Sequence, residues 1–367
     1  MRWSWRIGSL FGIPVYIHAT FVLIIVWVAL SHWLRGQSFG AALAGIVFVL
    51  ALFACVVLHE LGHALTARRY RIKTRDITLL PIGGVARLER MPDDPREELW
   101  VALAGPAVNV AIAGTLFLVQ YVTGSWQALG DVSISQGSFV ERLMLLNVFL
   151  VAFNLLPAFP MDGGRVLRAL LATRLSYVRS TQLAATIGQA MALLFGLVGF
   201  LANPFLIFVA FFVWIGAAQE ASLVEMRTSL AGIPVSQAMQ TEFRVLETSD
   251  SLGRAVDMIL AGAQQDFPVT ERGRLAGVLT RTELVKALAQ KPLGTPVADV
   301  MRHNFAVVDA FEMLEVALAR LNECACNTIP VLRDGNLVGL LTSENFGEFM
   351  MIQGALAASK QYRRAVA

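Results

Sequence analysis

Three cysteines in 367 residues, Cys55, Cys324 and Cys326, are too few for a disulfide framework. A C-x-C pair on its own is a weak metal or redox signal, so Cys324 and Cys326 read as two small reduced side chains. Charge is scarce as well. Asp, Glu, Lys and Arg make up 16% of the chain, against about 25% in ordinary soluble domains. Hydrophobic residues make up 56%, and mean hydropathy is +0.60. That balance excludes a wholly soluble chain, and a net charge of +3 gives no reason to expect nucleic acid as a partner. For much of this chain the solvent is a lipid bilayer.

Apolar runs of spanning length, or a little under, lie at 15–34, 41–64, 99–122, 143–157 and 183–201. A sixth, 205–218, follows Asn203-Pro204 and is short, so it should pair with the fifth as a tight helical hairpin. Arg2 and Arg6 precede the first run, Arg68, Arg69, Arg71, Lys73 and Arg75 follow the second, and Arg165, Arg168, Arg174 and Arg179 follow the fourth. The stretch 123–140 has no Lys or Arg. Under the positive-inside rule this predicts six transmembrane helices in the cell membrane with both termini cytoplasmic. The first run lacks a small-residue cleavage site and reads as a retained helix.

Histidine is rare, 5 in all, yet two of them form H-E-x-x-H: His59-Glu60-Leu61-Gly62-His63, inside the second run. Residues i and i+4 lie one helical turn apart, so both rings can reach one ion, with Glu60 beside them as general base. Ionisable groups within a membrane segment cost about 2.5 to 3.5 kcal/mol each, so three together need a compensating role. The topology puts them near the cytosolic end of their helix.

Catalytic zinc needs a third protein ligand and an open position. The fourth run ends in Asn154-Leu-Leu-Pro157-Ala-Phe-Pro160-Met-Asp162-Gly163-Gly164, where two prolines stop a regular helix. Asp162 is the carboxylate at matching depth and is the candidate third ligand. Asn154, upstream, could donate to an oxyanion or to substrate backbone. After the second run, Pro81-Ile82-Gly83-Gly84-Val85 sits between two short β-like stretches and reads as a re-entrant hairpin beside the metal, able to hold substrate. Ala104-Gly105-Pro106-Ala107-Val108-Asn109 reads chiefly as a helix-packing stretch.

These paired motifs resemble the site-2 proteases, zinc enzymes that cut peptide bonds in or beside membranes. The resemblance covers roughly 15–218 and implies one Zn²⁺ per chain on His59, His63 and Asp162, Glu60 as general base, Asn154 as the active-site asparagine, and a membrane-anchored protein as substrate. No stretch reads as a PDZ domain. Arg165 to Arg179 instead carries an apolar stripe opposed by arginines and reads as one amphipathic connector.

From about Ala231 the composition turns soluble and repeats itself. Val235-Ser-Gln-Ala-Met239 is echoed by Val297-Ala-Asp-Val-Met301, and Gly277-Val-Leu-Thr280 by Gly339-Leu-Leu-Thr342. The repeat resembles a tandem pair of CBS domains, a cytosolic α/β module. The expected boundaries are a membrane protease at 1–220, a linker at 221–232, repeats at 233–290 and 291–355, and a tail at 356–367. CBS pairs often bind adenine nucleotides through a threonine and an aspartate three residues on. Here those positions hold Thr280 with Glu283 and Thr342 with Asn345, so a structural module that dimerises the chain stands as the alternative. A transport protein also fits a CBS pair behind membrane helices, but it calls for polar groups near the mid-membrane.

Overall fold

The computed structural model describes residues 3–366 apart from 82, 93, 125–136, 231, 263 and 325. The chain divides into two compact units, Met1–Glu225 and Met226–Ala367.

The first unit opens with two strands, β1 (Ser4–Leu10) and β2 (Ile13–His18), then α1 (Phe21–Leu34) and α2 (Phe39–Arg69). A second hairpin, β3 (Thr74–Leu80) and β4 (Gly83–Leu88), joins the first in one four-stranded sheet of order β1-β2-β3-β4, in which β2 and β3 run parallel. The extent of the first predicted span is therefore corrected. Val15, Tyr16 and Ile17 pair with Ile77, Thr78 and Leu79, and the helix that follows has only 14 residues. β-Branched and aromatic residues after Pro14 favour the strand, and the register buries Val15 and Ile77 together.

Five helices complete the unit: α3 (Pro95–Val122), α4 (Phe139–Asn154), α5 (Asp162–Ala172), α6 (Tyr177–Leu201) and α7 (Phe205–Leu230), the last running on into the second unit. Among the described residues four helices are long and apolar enough to cross a membrane: α2, α3, α6 and Phe205–Met226 of α7. The sixth run does follow the fifth after a short turn, in which the Asn203 Oδ1 accepts from the Phe205 N–H at 3.0 Å. The single connector expected over Arg165 to Arg179 is instead two elements, because α5 ends at Ala172 and α6 starts at Tyr177.

Arg168 on α5 is fully buried. It pairs with Glu98 on α3 and Glu220 on α7, and its guanidinium lies over the Phe159 and Tyr177 rings at 5.1 and 5.0 Å. One cation thus ties three helices together.

The second unit holds two three-stranded sheets: β5 (Leu246–Glu247), β6 (Phe267–Glu271) and β7 (Arg274–Leu279), then β8 (Val308–Asp309), β9 (Thr328–Arg333) and β10 (Asn336–Thr342). Each is flanked by helices: α8 (Leu252–Leu260) and α9 (Arg281–Leu288) in the first copy, α10 (Leu314–Glu323) and α11 (Ser343–Val366) in the second. The two copies trade their leading segments. Val235 and Ala238 pack in the core of Val308, Leu314, Ile329 and Leu341, while Val297 and Met301 pack in that of Leu246, Leu252, Phe267 and Leu279. Each copy completes the other's core. Cys324, at the end of α10, and Cys326 are joined as a disulfide with their Cα atoms 5.1 Å apart, which corrects the reading of two reduced thiols.

A candidate metal centre between three helices

α2 has 31 residues, about 46 Å at 1.5 Å per residue, which exceeds a hydrocarbon layer of about 30 Å. His59 and His63 lie in its last third, and both are buried. Their Nε2 atoms are 3.1 Å apart, and the Asp162 Oδ2 lies 3.2 Å from the first and 3.1 Å from the second. Two residues on one helix and one nearly a hundred positions later thus close a triangle.

The far sides of the rings explain why the triangle points inward. His63 Nδ1 lies 2.7 Å from the Val101 carbonyl oxygen, which can only accept, so that nitrogen carries the hydrogen. His59 Nδ1 lies 3.1 Å from the Asn109 Oδ1 and is fixed the same way. Each ring then turns a bare Nε2 lone pair toward the other and toward a carboxylate oxygen. Three inward-facing donor atoms about 3 Å apart make a cluster that could hold a metal ion. A tetrahedral Zn²⁺ with bonds of about 2.0 to 2.1 Å sets its ligand atoms about 3.3 to 3.4 Å apart, close to the observed triangle. The donor set and its size fit one zinc ion.

Asp162 is delivered by the turn between α4 and α5. Ala158 and Met161 are buried against Ala192 and Val213, and Phe159 against Ala184, Ala185 and Ala217, so α6 and α7 clamp the segment before α5 begins. A Cβ at Gly163 would fall 2.2 Å from the Leu156 oxygen, which explains why glycine follows the aspartate.

Glu60, half-buried, turns away from the triangle toward the sheet. Its Oε2 accepts the Ala86 N–H at 2.9 Å, and a Cβ at Gly84 would meet its Cγ at 2.7 Å. The predicted hairpin residues Gly83 and Gly84 thus lie on the strand beside the glutamate, with Pro81 half-buried before it and Val85 exposed on it. Ile82 falls outside the described residues. Asn154 is the final residue of α4 and is half-buried.

Thr280, Glu283, Thr342 and Asn345 belong to the second unit, apart from this cluster in sequence. Thr280 and Glu283 form a capping box at the start of α9, with the Glu283 carboxylate also paired to Arg302. The Thr342 hydroxyl donates to the Asn345 Oδ1 at 2.6 Å and accepts from its N–H at 3.0 Å. Thr280 lines a cleft of about 610 Å³, and Thr342 and Asn345 line one of about 340 Å³. The S/T-x-x-E/Q spacing at Thr280 is a cap signal that was there to be read.

Of three contributors on α3, sequence reasoning missed the Val101 carbonyl, whereas Gly105 and Asn109 lie in the stretch read chiefly as packing and secondarily as support for the site. A Cβ at Gly105 would lie 2.2 Å from the His63 Nε2 and 2.7 Å from the His59 Nε2. What the sequence did not show is how closely Gly105 lets the α3 backbone approach the two rings.

The peptidase family M50 profile matches residues 47–136 and 126–195, and the CBS domain profile matches 235–290 and 297–349. A zinc metalloprotease of Methanocaldococcus jannaschii is 36% identical over 354 residues, covering 96% of this chain and 97% of that one. Stage IV sporulation protein FB of Bacillus subtilis is 30% identical over 149 residues, 40% of this chain and 48% of that one. A solved site-2 protease from Methanocaldococcus jannaschii is 40% identical, covering 60% of this chain and 95% of that one, with a TM-score of 0.45. The chain belongs to peptidase family M50, the multi-pass membrane zinc metalloproteases of the site-2 class, and carries a tandem pair of CBS domains after its peptidase region.

Proposed function

We propose that His59, His63 and Asp162 hold the catalytic Zn²⁺, that Glu60 is the general base, and that the substrate is a membrane-anchored protein cut near the cytosolic face. The observation that carries this reading is the triangle of Nε2, Nε2 and Oδ2 atoms at 3.1 to 3.2 Å. Held by these three side chains, a zinc ion would supply a Lewis acid at the site and make water a better nucleophile there. Asn109 and Val101 fix the ring tautomers so that both Nε2 atoms stay available. Glu60 accepts the proton of the attacking water and returns it to the departing amine nitrogen. Asn154 steadies the oxyanion or the substrate backbone. A spanning substrate has to unwind near the cut, and the open side of β4, from Gly83 past Val85, receives it as an added strand.

The reading includes six spans, with α1 and α4 completing the four long helices and both termini in the cytoplasm. The arginines that follow α2 and those around α5 support that orientation. The CBS repeats, 233–290 and 291–355 after a linker at 221–232, form a cytosolic homodimerising module. Of the two clefts beside Thr280 and Thr342, the one lined by Arg281, Lys286 and Arg302 suits an adenine nucleotide's phosphates, whereas Glu344 and Glu348 line the other.

Cleavage of membrane-anchored candidate proteins in proteoliposomes tests the protease reading. Wild type cuts at least one candidate, and Glu60→Gln, with its zinc content intact, cuts none. Equal cleavage by both would sink Glu60 as base.

A further inference from the structure

β4 ends its sheet, so one side of it has no strand partner in the sheet. Residues along an antiparallel strand alternate between pointing their N–H and C=O at the neighbour and away from it. Ala86 stands opposite Ile77, but its N–H goes to the Glu60 Oε2 and not to β3. The pair is therefore a non-hydrogen-bonded one, and the Ala86 N–H belongs to the open edge, as does that of Gly84 two residues back. An added strand needs those same outward amides. Gly84, with no Cβ, leaves the room through which the glutamate side chain reaches the edge.

The amide that holds the base is thus one that an incoming strand requires. We propose that Ala86 N–H is a latch: it keeps Glu60 on the strand edge while the edge is empty, and it passes to the substrate backbone when a strand docks, which frees the carboxylate for the attacking water. Ala86 is a positioning residue acting through its backbone. The inference rests on β4 as the docking edge and on Glu60 as the base. It gives the enzyme a reason to spare proteins that enter the site without unwinding, because a helix leaves the edge amide with Glu60.

The test uses full-length, zinc-loaded protein in lipid nanodiscs. The probe is a transmembrane peptide from a cleaved candidate with a hydroxyethylene group in place of the scissile amide, and its affinity is read by fluorescence anisotropy. Glu60→Ala removes the competitor for the amide, so the probe should bind about tenfold more tightly, the worth of one charge-assisted hydrogen bond. In an Ala86→Pro background the same substitution should change affinity by less than about twofold, since neither competitor has an amide to win. Proline is tolerated there because the outward N–H has no ladder partner. No tightening, or equal tightening in both backgrounds, overturns the latch. A measurement free of the proline variant stands beside it. Hydrogen exchange across 83–88 without probe should quicken about tenfold in Glu60→Ala, and unchanged protection overturns the proposal. N-methylation of alternate probe amides separates the two ideas. If it leaves wild-type affinity unaltered, the docking edge itself fails; if it weakens binding while the Glu60 and Ala86 effects stay independent, only the latch fails.

Discussion

Gly105 on α3 faces both histidine rings so closely that a single added methyl would sit 2.2 Å from the His63 Nε2. In a helix interior alanine is favoured over glycine by about 1 kcal/mol, so local preference argues against this residue and the close approach of the two rings argues for it. The helix gives up intrinsic stability to let its backbone form the wall of the site.

Gly105→Ala is therefore expected to leave the protein folded and to lower zinc affinity at least about tenfold, with cleavage falling in parallel. Competition against a chromophoric chelator, with thermal unfolding as the control for fold, checks it. Wild-type affinity in this variant would mean that the rings can move aside at no cost.

Asn109 holds the His59 ring from behind through its Oδ1. Asn109→Leu removes that acceptor and frees the ring to rotate or change tautomer. Zinc affinity should fall about 10- to 100-fold, the usual cost of losing a group that orients a metal-ligating histidine. The same chelator competition reads the effect, and Asn109→Asp, which keeps an acceptor, should lose much less.

Arg168 predicts a loss of stability, not of chemistry. Its guanidinium is wholly buried between Glu98 and Glu220, and removing one partner of a buried pair costs about 3 to 5 kcal/mol because the other charge is stranded. Arg168→Met should unfold at clearly lower temperature in nanodiscs. Adding Glu98→Leu and Glu220→Leu should recover most of the loss. Failure of the triple variant to recover would mean that the network fixes helix register as well as charge.

That His59, His63 and Asp162 come together could be read in the sequence because each part carries a local sign. His59 and His63 are spaced by a helical turn, and Asp162 follows two prolines that end a helix at the matching depth. The CBS repeat was legible through its echoed segments. The N-terminal strands were not. Val15 to Leu34 is apolar over most of its length, so hydropathy alone cannot separate a strand followed by a short helix from one long helix; what decides it is pairing with Ile77 to Leu79, a contact about sixty residues distant. The exchange of Val235 and Val297 between the two CBS cores was hidden for the same reason, as was the placement of Arg168, which reads in sequence as one more cationic residue at a helix end. Cores assembled from remote segments leave no periodic mark.

The most direct measurement is zinc K-edge X-ray absorption on purified wild type and Asp162→Asn, with metal content by mass spectrometry. Wild type should hold about one zinc per chain bound by two imidazole nitrogens and oxygen at about 2.0 to 2.1 Å, and Asp162→Asn should lose the metal or show a changed oxygen shell. An identical spectrum and zinc content in the two proteins would remove Asp162 from the metal and contradict the account.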